Sequence, residues 1–288
     1  MPETLFYTAS VVGGLFLLLL LIERKLPLRY QTRDFLSRLL VNVAFSILAF
    51  ITAALIIRPS VAALLQWSNE SSFGLLHVIG APFTAQLALG FLLMDLSFYY
   101  WHVANHRIPL LWRFHNVHHL DPDLDVSTGF RFHFGEVALS AGFRVVQVTA
   151  IGLSAWTYAV YELVFQANTL FHHSNVRLPI QLERPLNWIL VTPRMHGIHH
   201  SQVRDEANSN YSVVFSWWDR IHRSIGLDIP QSNVVIGVPA YSRPEDNRFW
   251  NMVMAPFREQ RAYWSKPDGA TVPPTSRSGR NRRHRLSE

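Results

Sequence analysis

Eleven of the chain's fourteen histidines lie between His102 and His200, and eight of them fall in three tight motifs. These are His102-Val-Ala-Asn-His106, His115-Asn-Val-His118-His119 and His196-Gly-Ile-His199-His200. On an α-helix, residues three and four apart share a face, so each motif can aim two or three imidazoles at one point. Imidazole is the commonest protein ligand for transition metals. Eight such ligands exceed the shell of one ordinary ion, so the pattern predicts two metals side by side. Any fold of this chain must therefore bring helix ends far apart in sequence to a single place.

The rest of the chain puts that place at a membrane. Of 288 residues, 49% are hydrophobic and only 16% are charged, against about 25% charged in soluble proteins. Residues 5–22 carry no charge and are long enough to span a bilayer. A signal peptide is the competing reading, disfavoured because the basic cluster follows the apolar run. Residues 39–57 make a second span, and 74–101 a third with one interior charge, Asp95. Residues 137–171, interrupted by Arg144 and Gly152, make either a hairpin of two spans or a buried hairpin that only partly enters the bilayer. Arg24, Lys25, Arg29, Arg33 and Arg38 crowd the first connection, which the positive-inside rule places in the cytoplasm. The 58–73 connection is then an external loop. The third span delivers His102 and His106 to the cytoplasmic side, where the other motifs must meet them.

The chain has no cysteine, so thiolate sites and iron–sulfur clusters are excluded and the ligands must be His, Asp, Glu or Asn. His133, in Phe130-Arg-Phe-His-Phe-Gly-Glu136, and His173, in Phe171-His-His-Ser-Asn175, can each complete the second metal's shell. His172 is read as structural, because its neighbour can already serve. His77, His222 and His284 lie outside any cluster. Asp95, two turns before His102 on the same face, suits an acceptor for an imidazole N–H, since ionisable groups in spans are costly and functional.

Together these motifs and their flanks resemble the fatty acid hydroxylase/sterol desaturase superfamily of integral-membrane di-iron enzymes. The likeness covers roughly residues 85–225: Asp95-Leu-Ser-Phe-Tyr-Tyr-Trp-His102, Leu111 to His119, Phe130-Arg-Phe-His133, His173-Ser-Asn175, Thr192 to His200, Asn208-Ser-Asn-Tyr211 and Trp218-Asp219-Arg220. The family often has Pro after the position of His133, where this chain has Phe134. The resemblance implies metal ligands at His102, His106, His115, His118, His119, His196, His199 and His200, with His133 and His173 as further ligands. Asp95 and Asn175 are expected to support them. It also implies two Fe ions, O2 as co-substrate, and hydroxylation or desaturation of a lipid C–H bond. No dinucleotide fingerprint and no Cys cluster is present, so electrons must come from an external ferredoxin, cytochrome or reductase.

The expected fold is all-α: a polytopic membrane helical bundle with a cytosolic His-rich helical cap around a dimetal centre. Residues 1–73 form an N-terminal transmembrane hairpin, 74–225 the catalytic domain and 226–264 a C-terminal cap segment. Residues 265–288 form a disordered basic tail, which carries four of the six net positive charges. Basic residues outside any folded motif argue against nucleic acid. Two other functions compete. A zinc-dependent membrane hydrolase would want a carboxylate beside a His pair, and in sequence neither Glu136 nor Glu162 adjoins one. A metal transporter would place ligands mid-span along a pathway, whereas here they cluster at span ends.

Overall fold

Pro109 and Pro193 each sit in the first turn of a helix, and the helices they begin carry two of the three His motifs. The structure, a computed structural model, describes residues 2–80 and 82–275, with side chains from Thr8 onward. Its long helices are α1 (Pro2–Lys25), α2 (Phe35–Thr52), α3 (Arg58–Ser71), α5 (Phe83–Arg107), α6 (Pro109–His119), α7 (Phe134–Ile151) and α8 (Ala155–His173). Shorter ones are α4 (Leu75–Val78), α9 (Ile180–Leu186), α10 (Pro193–His199), α11 (Arg204–Ala207), α12 (Trp217–Ile221) and α13 (Phe249–Met254). Among the described residues there is no strand, only isolated bridges such as Leu190 with Phe215 and Ser201 with Ile236. The chain is all-α, as expected.

Among the described residues, three helical stretches are long and apolar enough to cross a membrane: Phe35–Val78, Phe83–Arg107 and Phe134–Ile151. The first corrects a boundary. Residues 58–73 were expected to be an external loop, because the second apolar span was read as ending at residue 57. Instead α2 passes through a π-helical turn, Ala53–Ile57, directly into α3. Pro59 lacks the N–H that an unbroken α-helix would use, but near a helix start that loss is tolerated. The wider turn before it absorbs the mismatch. The 137–171 stretch is a helical hairpin, α7 and α8, broken at Gly152 and capped afresh by Ser154, whose hydroxyl accepts the Thr157 N–H at 3.1 Å.

That hairpin turn rests on a backbone contact. Gly152 has φ 75° and Gly74 φ 114°, and a Cβ on Gly74 would fall 2.4 Å from the Gly152 Cα. Only glycine fits at either place. From there, α3, α5, α7 and α8 share a core of Ile57, Leu65, Met94, Phe98, Val148 and Tyr161. Residues such as Leu36, Leu40, Ile47, Leu55 and Val146 point outward and stay exposed, the pattern of a lipid-facing surface.

The cap packs on the opposite end of α5, around Trp112, Val117, Leu120, Val238 and Met252. It is fastened to α2 by charge. Arg38 bonds Asp121 and Asp125 at 2.8 Å each and donates to the Asp123 carbonyl at 3.0 Å. Burial would raise the Asp121 carboxyl, but the Arg38 and Arg131 guanidiniums override it and hold it below the ordinary carboxylate range. The basic connection after α1 thus lies on the cap and does not float free. Of the basic tail, residues 276–288 lie outside the described residues. The described part folds back, with a bridge between Ser265 and Thr271, and Thr275 N–H donating to Glu206 at 3.2 Å.

Candidate metal centre

Helices α5, α6, α8 and α10 all end at one point. His102 and His106 occupy the last turns of α5, His115, His118 and His119 those of α6, and His173 closes α8. His196 and His199 lie on α10, and His200 is its C-cap. A helix C-terminus carries the negative end of the backbone dipole, so four converging C-termini favour a cation between them. Ile108 makes the sharp corner between α5 and α6: as the residue before Pro109 it is pushed to the extended region, at φ −92°, ψ 115°.

The nine imidazoles sort into two groups. His102, His106, His115, His119 and His199 form one, and His118, His173, His196 and His200 the other. Within each group one ring nitrogen per residue lies within 4.8 Å of all the others.

Backbone carbonyls set the ring tautomers. The Nδ1 of His102 meets the Tyr211 carbonyl at 2.7 Å, that of His173 the Thr169 carbonyl at 2.7 Å, and that of His199 the Ser209 carbonyl at 2.7 Å. The Nδ1 of His118 meets the Arg131 carbonyl at 3.3 Å. A carbonyl can only accept, so each of these Nδ1 atoms carries the proton and each Nε2 is a bare lone pair. Glu136 does the same for His115, at 2.8 Å from its Nδ1. This is the arrangement that orients and sharpens metal-binding histidines.

Two of these lone pairs face one another: the Nε2 atoms of His118 and His173 are 3.0 Å apart, although both protons are committed elsewhere. His173 and His196 repeat that spacing at 3.0 Å, and His196 and His200 at 3.1 Å, with the Nδ1 atoms of His196 and His200 buried and unpartnered. Protonation does not explain the His118–His173 contact. Burial first, then the neighbouring imidazoles, pushes His118, His119, His196 and His200 well below the ordinary histidine value. Burial likewise takes His199 down to about 3. In the other group, the Nε2 atoms of His115, His119 and His199 and both ring nitrogens of His106 are buried without a partner. Unpartnered buried polar atoms are costly. Here they converge, and a cation in each group would take one nitrogen from each ring. The residues fit a pair of metal ions.

Of the ten histidines read from sequence as ligands, nine belong to these groups, and His133 does not. It caps α7: its Nδ1 accepts the Gly135 N–H at 2.9 Å, which leaves Nε2 to donate to the Val253 carbonyl at 3.1 Å. His172 also stays outside both groups, beside Asn168. Asp95 holds no imidazole. It accepts the N–H groups of Val214 and Phe215 and the Trp218 indole, at 3.2, 3.0 and 2.8 Å. It thereby fixes the strap whose Tyr211 carbonyl orients His102, so its action is one step removed from the one expected. Asn175 pairs with both backbone groups of Arg29 and ties the end of α8 to the segment after α1. Glu136 was passed over as adjoining no His pair. It lies 21 residues from His115 in sequence, and only the first turn of α7 brings them together. Gly197 also has a role that sequence hid. A Cβ there would sit 2.2 Å from the Arg29 guanidinium, so the small residue lets Arg29 cover α10.

One cavity of about 210 Å³ opens onto both groups, touching His102, His115, His118, His173 and His196. Its walls are mainly apolar: Phe50, Ala53 and Ile57 from α2 and the π turn, with Phe98, Phe130 and Phe165. It runs from the histidines into the membrane-type helices.

A membrane-type helical bundle with two buried polyhistidine groups at the foot of an apolar cavity defines the class. Residues 87–224 match the fatty acid hydroxylase family. Over that region the chain is similar to the fatty acid hydroxylase/sterol desaturase superfamily, and its long apolar helices suit a membrane protein. Ornithine lipid hydroxylase OlsE of Rhizobium tropici is 31% identical over 140 residues, 49% of this chain and 41% of that one. Alkylglycerol monooxygenase of Homo sapiens is 31% identical over 158 residues, 54% and 33% of the two chains. Cholesterol 25-hydroxylase of Homo sapiens is 29% identical over 133 residues, 45% and 47%. The match spans less than half the length of each of these three relatives. No solved structure matches the chain at the same significance.

Proposed function

We propose that this protein is an O2-dependent lipid hydroxylase whose two metal ions are iron. His102, His106, His115, His119 and His199 would hold one ion, and His118, His173, His196 and His200 the other. The observation that carries the reading is the convergence of nine buried imidazoles in two groups, with Nε2 atoms 3.0 to 3.1 Å apart along His118, His173, His196 and His200. When bound, such an iron pair supplies the reduction of O2 and the oxidation of a C–H bond.

The chain's own residues do the rest. Phe50, Phe98, Phe130 and Phe165 hold a hydrocarbon and exclude water from the end of the cavity where the imidazoles stand. Glu136 and the carbonyls of Tyr211, Thr169, Arg131 and Ser209 hold the rings in place. Three relatives are named for oxidising an ornithine lipid, an alkylglycerol and cholesterol, which favours hydroxylation over desaturation and a lipid as substrate. Electrons come from an external ferredoxin, cytochrome or reductase. The cap faces the cytoplasm, because Arg29 and Arg38 of the basic connection are docked on it.

Elemental analysis and Mössbauer spectroscopy on protein purified in detergent under low oxygen test this. Two irons per chain with coupled high-spin signals are expected. Stoichiometric zinc that persists after iron supplementation during expression would overturn it in favour of a hydrolase or transport protein.

A further inference from the structure

Beside the histidines, the mainly apolar cavity is lined by Ser140 and Arg144 from α7 and by Glu162 and Gln166 from α8, and of these Arg144 and Glu162 lie nearer the α7–α8 turn. Each pair is spaced i, i+4, so all four face the same way. Arg144 bonds Glu162 and donates to the Tyr158 hydroxyl at 3.1 Å, with its guanidinium carbon 4.8 Å above the Phe98 ring. Its Nε is buried with no partner. The Glu162 side chain keeps 20% of its surface exposed, and it lines the cavity.

A clamp between α7 and α8 does not call for this chemistry. A buried ion pair is no better than well-packed apolar side chains, and a charge at bilayer depth costs several kcal/mol. What the pair provides is a spare donor and a spare acceptor on the wall of an apolar slot, away from the histidines. A carboxylate or phosphate ligand would meet Glu162. An ammonium would meet Arg144. A hydroxyl uses both, donating to Glu162 and accepting from Arg144.

The geometry points to Arg144 and Glu162 as a specificity site for a lipid hydroxyl, so that the substrate is a neutral, hydroxyl-bearing lipid oxidised at the end remote from that hydroxyl. From Arg144 to Glu136 is eight residues of α7, and from Glu162 to His173 eleven of α8. At 1.5 Å per residue the hydroxyl lies about 12 to 16 Å from the histidines. This rests on the reading of the cavity as a lipid site. It adds the polar group that the site reads and its distance from the carbon attacked.

The test uses the full metal-loaded chain in nanodiscs. It is titrated with three probes of equal chain length carrying bromine mid-chain: a primary alcohol, the carboxylic acid and the alkane. Binding is read as quenching of Trp101, which lines the cavity, against a Trp101→Phe control. The alcohol is expected to bind at least tenfold more tightly than the acid or the alkane. Glu162→Gln, close in shape and checked for full metal content, should bring the acid to within threefold of the alcohol. Equal binding of all three probes to the unmodified chain overturns the assignment and leaves the cavity a general lipid site. An unchanged acid-to-alcohol ratio in Glu162→Gln also overturns it, by making the pair an interhelical clamp. Quenching by none of the three would refute the lipid-site reading itself.

Discussion

His133 separates what the family pattern implies from what the geometry does. The resemblance makes it a ligand, whereas the structure makes it the cap of α7 with both ring nitrogens used. Replacing it should therefore affect stability and not metal. His133→Asn keeps a side chain that caps well and loses the bond to the Val253 carbonyl, a cost of about 1 kcal/mol. His133→Ala loses the cap as well, and also the ring contacts with Phe45, Phe114 and Phe257. A lost cap adds about 1 kcal/mol and the lost packing a similar amount, so about 3 kcal/mol is expected. At about 2 to 4 °C per kcal/mol for a chain of this size, the alanine variant should melt roughly 6 to 12 °C lower and the asparagine variant roughly 2 to 4 °C lower. Metal content, measured by mass spectrometry on detergent-purified protein, should stay at the unmodified level in both. His118→Ala, run beside them, should lose metal. If His133→Asn loses metal while its melting point barely moves, the capping assignment is wrong and the residue is a ligand.

Three other expectations concern the supports of the site. Glu136→Gln removes the charge that holds His115 and should weaken metal binding about 10- to 100-fold, measured by chelator competition; unchanged affinity would mean that the bond does not orient the ring. Asp95→Asn turns an acceptor of three donors into one that cannot satisfy them all. It should cost about 2 to 4 kcal/mol and loosen residues 211–215, read as faster amide exchange there. Metal-free protein should lose stability as pH falls. His118, His119, His196, His199 and His200 are held neutral when folded but take up protons when unfolded below about 6.5. Unfolding therefore binds protons, and each group removes about 1.4 kcal/mol per pH unit below 6.5, for His199 down to about 3. A melting point flat between pH 7 and 5 would refute the burial argument.

The centre was legible in sequence because helical spacing is local information. His102 with His106, and the two His-x-x-His-His motifs, needed only the geometry of one helix to be grouped. The hairpin in 137–171 was legible for a different reason, because the third His motif had to return to the side of the other two. What sequence could not give was which carbonyl or carboxylate orients each ring. Tyr211 lies 109 residues from His102, and Asp95 lies 119 from the Val214 N–H it accepts. His133 misled because it stands among the motifs in sequence while its side chain serves its own helix. The second span was read as ending at residue 57, just before Arg58 and Pro59. A proline in the first turn of a new helix stops nothing, and the π turn that joins the two helices leaves no compositional mark.

The two histidine groups do not draw on separate helices. Helix α6 gives His115 and His119 to one and His118 to the other, and α10 gives His199 to the first and His196 and, at its end, His200 to the second. Neither metal can settle without fixing the helix ends that the other needs. Loading should consequently be cooperative: at limiting metal the population divides into empty and doubly filled molecules. Strain introduced at either metal would be felt at both, because the same two helices would carry it across.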